Sequence, residues 1–214
     1  DAIIIASGND FADALAGSYL SAVKNAPILL TWKQEQNEAA VAYVKANLAE
    51  GGKVYILGGT VAVPASVETS LTAQGYRVVR LAGNTRYDTN LEILKEAGVT
   101  DEEILVCTAW NFADCLSASA TGLPILMVDS KSGKLMEDQI DFLEEHAGNK
   151  YTIIGGTKAV SAEIEEQLRS YGEVVRLSGA TRYHSSVLVA ERFFADPDKA
   201  TVASGKDFPD GLCG

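Results

Sequence analysis

Short unbroken apolar runs, separated by stretches of helical period, make up most of the chain. Ile3-Ile4-Ile5-Ala6 is the first such run, β-branched and followed by Ser7-Gly8, and it predicts a strand. Phe11 to Lys24 predicts a helix, Pro27-Ile28-Leu29-Leu30-Thr31 a second buried strand, and about Glu35 to Leu48 a second helix ended by Gly51-Gly52. Val54-Tyr55-Ile56-Leu57 predicts a third strand. Pro64 suits the first turn of the next helix, which Gly75 closes before the strand Arg77-Val78-Val79-Arg80-Leu81. A helix from about Tyr87 to Ala97 then leads into Ile104-Leu105-Val106, where the pattern starts again. These runs do not alternate apolar with polar, as expected of strands covered by helices on both faces. The fold class is therefore α/β, with Rossmann-like parallel sheets flanked by helices.

The restart is a repeat. Ile56-Leu57-Gly58-Gly59-Thr60-Val61-Ala62-Val63 returns as Ile153-Ile154-Gly155-Gly156-Thr157-Lys158-Ala159-Val160, 97 residues on. Val78-Val79-Arg80-Leu81-Ala82-Gly83-Asn84-Thr85-Arg86-Tyr87 returns as Val174-Val175-Arg176-Leu177-Ser178-Gly179-Ala180-Thr181-Arg182-Tyr183, 96 residues on. Phe11-Ala12-Asp13 occurs again as Phe112-Ala113-Asp114 and as Phe208-Pro209-Asp210. The expected organisation is tandem: residues 1–98 as one unit, 99–197 as a second, and 198–214 as the start of a third. Between Asp114 and Pro124 the second copy is four residues shorter than the first, close to one helical turn, so a shortened helix keeps its buried face. The chain begins with Asp1 rather than Met and stops inside a copied motif, which reads as a fragment.

Composition narrows the function. Eighteen Lys and Arg against 29 Asp and Glu leave a net charge of −11, so nothing supplies the basic field that a general nucleic-acid binder needs. No apolar run approaches the roughly 20 residues of a membrane-inserted helix. Three cysteines without a Cys-x-x-Cys pair suggest neither a disulfide framework nor a metal site. Cys107, Cys115 and Cys213 read as small buried residues.

The recurring Asp10-Phe11-Ala12-Asp13 and its copies suit a helix start, with Asp or Asn capping backbone amides and the later Asp in the positive end of the helix dipole. Ser7-Gly8 and Gly58-Gly59-Thr60 stand at strand ends, where open α/β sheets place ligands, but neither G-x-G-x-x-G nor GxxxxGK[ST] is present, so no cofactor is expected. Arg80, Arg86, Arg176 and Arg182 recur at matched positions. Their planar forks suit a carboxylate or phosphate, either on a ligand or on an Asp such as Asp13 or Asp114. Tyr87 and Tyr183 read as core. His146 and His184 have no counterparts in the other copies, and no catalytic constellation can be assembled.

These motifs resemble the cell-wall-binding repeat 2 family of Gram-positive surface proteins. The resemblance rests on Ala6 to Leu15, Ala26 to Thr31, Val54 to Thr60 and Arg80 to Tyr87. It implies an extracellular, non-catalytic module that holds an attached effector domain at the surface by binding an anionic cell-wall polysaccharide. Three units about a pseudo-threefold axis are the expected assembly, with other repeat units as partners. The family associates the Pro-Ile-Leu-Leu segment with attachment, which here means Pro27, Ile28, Leu29 and Leu30. The second copy reads Pro124-Ile125-Leu126-Met127.

On the residues themselves, Trp32 and Lys33 are better placed than a buried strand to touch sugar, through an aromatic face and an ammonium group. Asp129, Ser130 and Lys131 hold that place in the second copy, without the aromatic. With Ser7, Asp13 and the four arginines, these are the candidate polymer contacts. Because the chain is acidic, attraction to an anionic polymer must be local, and salt screens the long-range repulsion beyond about 8 Å. Two other readings stay open: a doubly wound small-molecule enzyme using Ser7, Asp13 and the Gly58-Gly59 turn, and an adhesion or oligomerisation module held by Arg86 and Arg182.

Overall fold

The computed structural model describes residues 2–212, so the reading of Cys213 lies outside the described residues. Two compact units are present, divided between Ala97 and Gly98. Residues 198–212 belong to the second of them.

The first unit holds strands β1 (Ala2–Ser7), β2 (Ile28–Thr31), β3 (Lys53–Leu57) and β4 (Arg77–Leu81). Its helices are α1 (Ala12–Ala16), α2 (Ser18–Lys24), α3 (Gln34–Asn47), α4 (Ala65–Ala73) and α5 (Arg86–Ala97). All pairings are parallel, in the order β2-β1-β3-β4. Ile4, Ile5, Ile56 and Leu57 are wholly buried. Each such side chain stabilises the fold by roughly 1.5–3 kcal/mol relative to exposure, which is why unbroken apolar runs select the two central strands.

The second unit repeats this plan. Its strands are β5 (Ile104–Thr108), β6 (Ile125–Val128), β7 (Lys150–Ile154) and β8 (Glu173–Leu177), ordered β6-β5-β7-β8 and again parallel. Its helices are α6 (Phe112–Ser119), α7 (Glu137–Glu145), α8 (Ala162–Leu168) and α9 (Arg182–Phe193).

Several expectations need correcting. The helix read from Phe11 to Lys24 is broken at Gly17, whose amide is shared between the carbonyls of Asp13 and Ala14. A Cβ at Gly17 would overlap Leu57 Cδ1, so the break falls where the chain packs against β3. The second unit, four residues shorter here, has the single helix α6 instead. In β2, Ile28, Leu29 and Leu30 are half-buried and Pro27 is exposed, as an edge strand permits, whereas β6 is buried throughout. Residues 198–208 form no strand. Pro209–Gly211 makes one 3-10 turn. Tyr87 is buried as expected, but Tyr183 is 55% exposed, with the backbone of Gly205 against its ring.

Candidate functional site

In each sheet the second strand lies on one side of the first and the third on the other. The crevice at the carboxyl ends of those strands is where this architecture places ligands. The repeated motifs converge there, and most of them turn out to hold one another.

The Gly58 turn shows this first. Gly58 has φ +91° and Gly155 has φ +111°, backbone that side chains disfavour. The carboxyl of Asp13 lies so close that a Cβ on Gly58 would overlap its Oδ2, and Asp114 stands against Gly155 in the same way. Burial pushes both carboxyls above the usual aspartate range. For Asp13 the neighbouring Asp10 adds to that shift and Arg86 opposes it; for Asp114 it is Arg182 that opposes. The Phe-Ala-Asp and Gly-Gly-Thr motifs are therefore two halves of one contact.

Arg80 completes the turn. Its Nη1 donates to the Gly58 carbonyl at 2.8 Å and its Nε to Glu68 Oε2 at 2.8 Å. Arg176 does the same in the second unit, donating to the Gly155 carbonyl at 2.8 Å and to Glu165 Oε2 at 2.9 and 2.7 Å. Both arginine side chains are 15% exposed, and both tie a glycine turn to the adjacent helix. Glu68 and Glu165 were missed as partners, although they recur 97 residues apart and that recurrence was the available signal.

The Gly-x-Thr-Arg-Tyr motif starts a helix. Thr85 and Asp88 cap α5 reciprocally: the Thr85 amide donates to Asp88 Oδ2 at 2.9 Å and the Asp88 amide to Thr85 Oγ1 at 3.3 Å. Gly83 passes so near Asp88 that a Cβ would overlap it, and its amide donates to Thr89 Oγ1 at 3.0 Å. At α9 Thr181, Gly179 and Ser185 repeat the arrangement except for the reciprocal bond, because His184 stands where Asp88 does and contacts the Thr181 hydroxyl instead. The cap sets Arg86 and Arg182 on the first turn, against the Phe11 and Phe112 rings.

Arg86 pairs with Asp10, Nη2 to Oδ2 at 3.1 Å, rather than with Asp13 or Asp114, and its guanidinium lies 5.7 Å from the Phe11 ring. In the second unit Asn111 replaces that acid and caps α6 instead, accepting from the Ala113 amide at 3.1 Å. Arg182 there lies 5.2 Å from the Phe112 ring and donates to the Gly205 carbonyl at 2.9 Å. Phe208 packs against Phe112 with ring centroids 5.8 Å apart.

Ser7 is nearly buried at the end of β1, where its Oγ accepts from the Asn9 amide at 3.2 Å. Pro27 accepts from the Ile4 amide at 3.0 Å, and Ile28, Leu29 and Leu30 pair with Ile4, Ile5 and Ala6. Trp32, just beyond β2, is 55% exposed, with Lys33 Nζ 4.4 Å from the ring centroid. His146 contacts the Phe142 and Val99 carbonyls, and His184 the Thr181 hydroxyl.

Sequence and fold comparisons agree with this plan. The model of the cell wall binding domain 2 (CWB2) family matches residues 1–68 and 80–165. The chain is 27% identical over 218 aligned residues to the N-acetylmuramoyl-L-alanine amidase LytC of Bacillus subtilis, covering 99% of this chain and 42% of that protein. It is 28% identical to the amidase enhancer of the same organism, covering 99% of this chain and 29% of that one. The chain thus spans less than half the length of either relative. Among solved structures, Cwp8 from Clostridium difficile superposes with a TM-score of 0.87 at 30% identity, over 99% of this chain and 38% of that one. Cwp6 from the same organism shares the fold, with a TM-score of 0.79 at 23% identity over 91% of this chain and 32% of that one. The chain belongs to the cell wall binding domain 2 family and is a cell-surface module that binds the cell wall.

Proposed function

We propose that the chain binds an anionic cell-wall polysaccharide without transforming it, and so retains an attached effector domain at the surface. The observation that carries this reading is the family match across both units, joined to a crevice whose polar motifs are spent on internal structure. Arg80 and Arg176 hold glycine turns, Asp13 and Asp114 fill them, and both histidines contact backbone carbonyls or a capping threonine. At the outer rim Trp32 and Lys33 are exposed, and Arg86 and Arg182 are half-buried.

Contact with further repeat units forms part of the same proposal. Helix α9 buries only Ser185 and Val189, and it exposes Tyr183 and Val187 one turn apart. An apolar stripe of this kind suits another copy of the repeat.

Sedimentation with Gram-positive walls tests the reading. The chain should pellet with intact walls and stay in the supernatant when the anionic polymers have been stripped. Equal pelleting with stripped walls would overturn the anionic-polymer assignment, and turnover of wall material by the purified chain would overturn the non-catalytic one.

A further inference from the structure

The second unit has no aromatic residue at the position matching Trp32, where Asp129 stands. Its geometry supplies one from the neighbouring strand. In the first unit Ser7 pairs with Thr31 at the ends of β1 and β2, and Trp32 is the next residue along β2. In the second unit Thr108 pairs with Val128 at the ends of β5 and β6, and Trp110 leaves the β5 side two residues on. Trp110 Nε1 donates to Asp129 Oδ1 at 2.7 Å, so its ring is held across to the β6 side. Lys131 Nζ lies 3.4 Å from that ring's centroid, as Lys33 Nζ lies 4.4 Å from Trp32. The turns match as well: the Asn9 amide donates to Ser7 Oγ and the Trp110 amide to Thr108 Oγ1, both at 3.2 Å.

Each unit therefore presents one tryptophan and one lysine at the mouth between its first two strands. These are the only two tryptophans in the chain, and they are 55% and 50% exposed. Leaving so much indole in water forgoes hydrophobic stabilisation, and two sites share that cost in the same place by different sequence routes. From this we infer that Trp32–Lys33 and Trp110–Lys131 are equivalent ligand subsites, each stacking one pyranose of the wall polymer and meeting an anionic substituent with its ammonium group. The inference rests on the polysaccharide-binding reading above and extends it to the second unit. The indole takes the C–H face of the sugar, and the flexible ammonium, which lies over the ring in the free chain, swings off it to meet the anionic substituent. Asp129 has a defined part, since one oxygen accepts from both the Trp110 indole and the Lys131 amide, at 2.7 and 3.0 Å, and fixes the pair's geometry.

Each tryptophan can report its own site. Trp110→Phe leaves Trp32 as the sole indole fluorophore and Trp32→Phe leaves Trp110, both at exposed positions where Phe is tolerated. Each variant is titrated with anionic polysaccharide released from Bacillus subtilis walls, and with neutral dextran. Both chains should show a saturable emission change with the anionic polymer and none with dextran. Lys33→Ala should weaken the Trp32 response, and Lys131→Ala the Trp110 response, by about 3–10-fold each. A response from Trp32 alone overturns the equivalence, and equal responses to dextran overturn the anionic assignment. Sedimentation with whole walls is run alongside. A chain that pellets while neither tryptophan responds refutes these subsites and leaves wall binding standing. A chain that does not pellet refutes both.

Discussion

Gly58→Ala tests whether the repeated motifs meet as described. The residue has φ +91°, and a side chain in left-handed backbone costs roughly 1–2 kcal/mol. The new methyl would also overlap Asp13 Oδ2, and overpacking of that kind adds about 1–3 kcal/mol. The sum is a loss of about 2–5 kcal/mol for the first unit. The turn also carries the carbonyl that Arg80 holds at 2.8 Å, so its displacement loosens the Glu68 pair as well. Asp13→Ala should return most of the overpacking share. The Ala62 Cβ, 3.0 Å from the new methyl, keeps the recovery incomplete.

The assay is urea unfolding followed by Trp32 emission in a Trp110→Phe background, which reads the first unit by itself and avoids treating two units as one transition. The double-mutant cycle should give a coupling of about 1–3 kcal/mol between positions 13 and 58. Additive effects would refute the claim that the Asp13 carboxyl is what requires glycine at position 58.

Other expectations follow from the same contacts. The Arg176 hydrogen bond is the largest cause holding Glu165 below its usual 4.5, with burial opposing it. Its contribution is present above pH 4.5 and is lost as pH falls through the lowered folded value. Glu165→Gln should cost about 1.5–3 kcal/mol at pH 7 and flatten the acid limb of stability, read from Trp110 emission in a Trp32→Phe background. Asp13 has the opposite sign: its carboxyl is raised by burial, so stability is lost as pH rises from 3.8 through the raised value. Asp13→Asn should remove that loss, and an unchanged pH profile would mean the carboxyl is not desolvated. Cys107 and Cys115 are wholly buried, and burial pushes the Cys107 thiol up. In a Cys213→Ser background, Ellman's reagent should leave both unmodified in native protein and label them in denaturant, and rapid labelling of that native chain would contradict the packing of β5 against α6.

The amino-acid sequence by itself determined the class of fold and its duplication. Unbroken runs such as Ile3-Ile4-Ile5, alternating with stretches of helical period, suit a helix-covered parallel sheet, and motifs recurring at 96 and 97 residues point to two copies of one plan. It also marked the residues that matter, because Asp13, Gly58, Arg80 and Arg86 recur. It did not say what they do. Recurrence reports that a side chain is needed and is silent on its partner, which is chosen when segments 12 to 76 residues apart are folded into hydrogen-bond contact. Only the tertiary structure showed Asp13 to be the reason for Gly58, Glu68 to be the acceptor for Arg80, and Asp10 rather than Asp13 to be the partner of Arg86. The second tryptophan site was hidden for the same physical reason. Alignment compares positions along the chain, while a ligand meets side chains across adjacent strand ends, where Trp110 reaches Asp129 from the neighbouring strand.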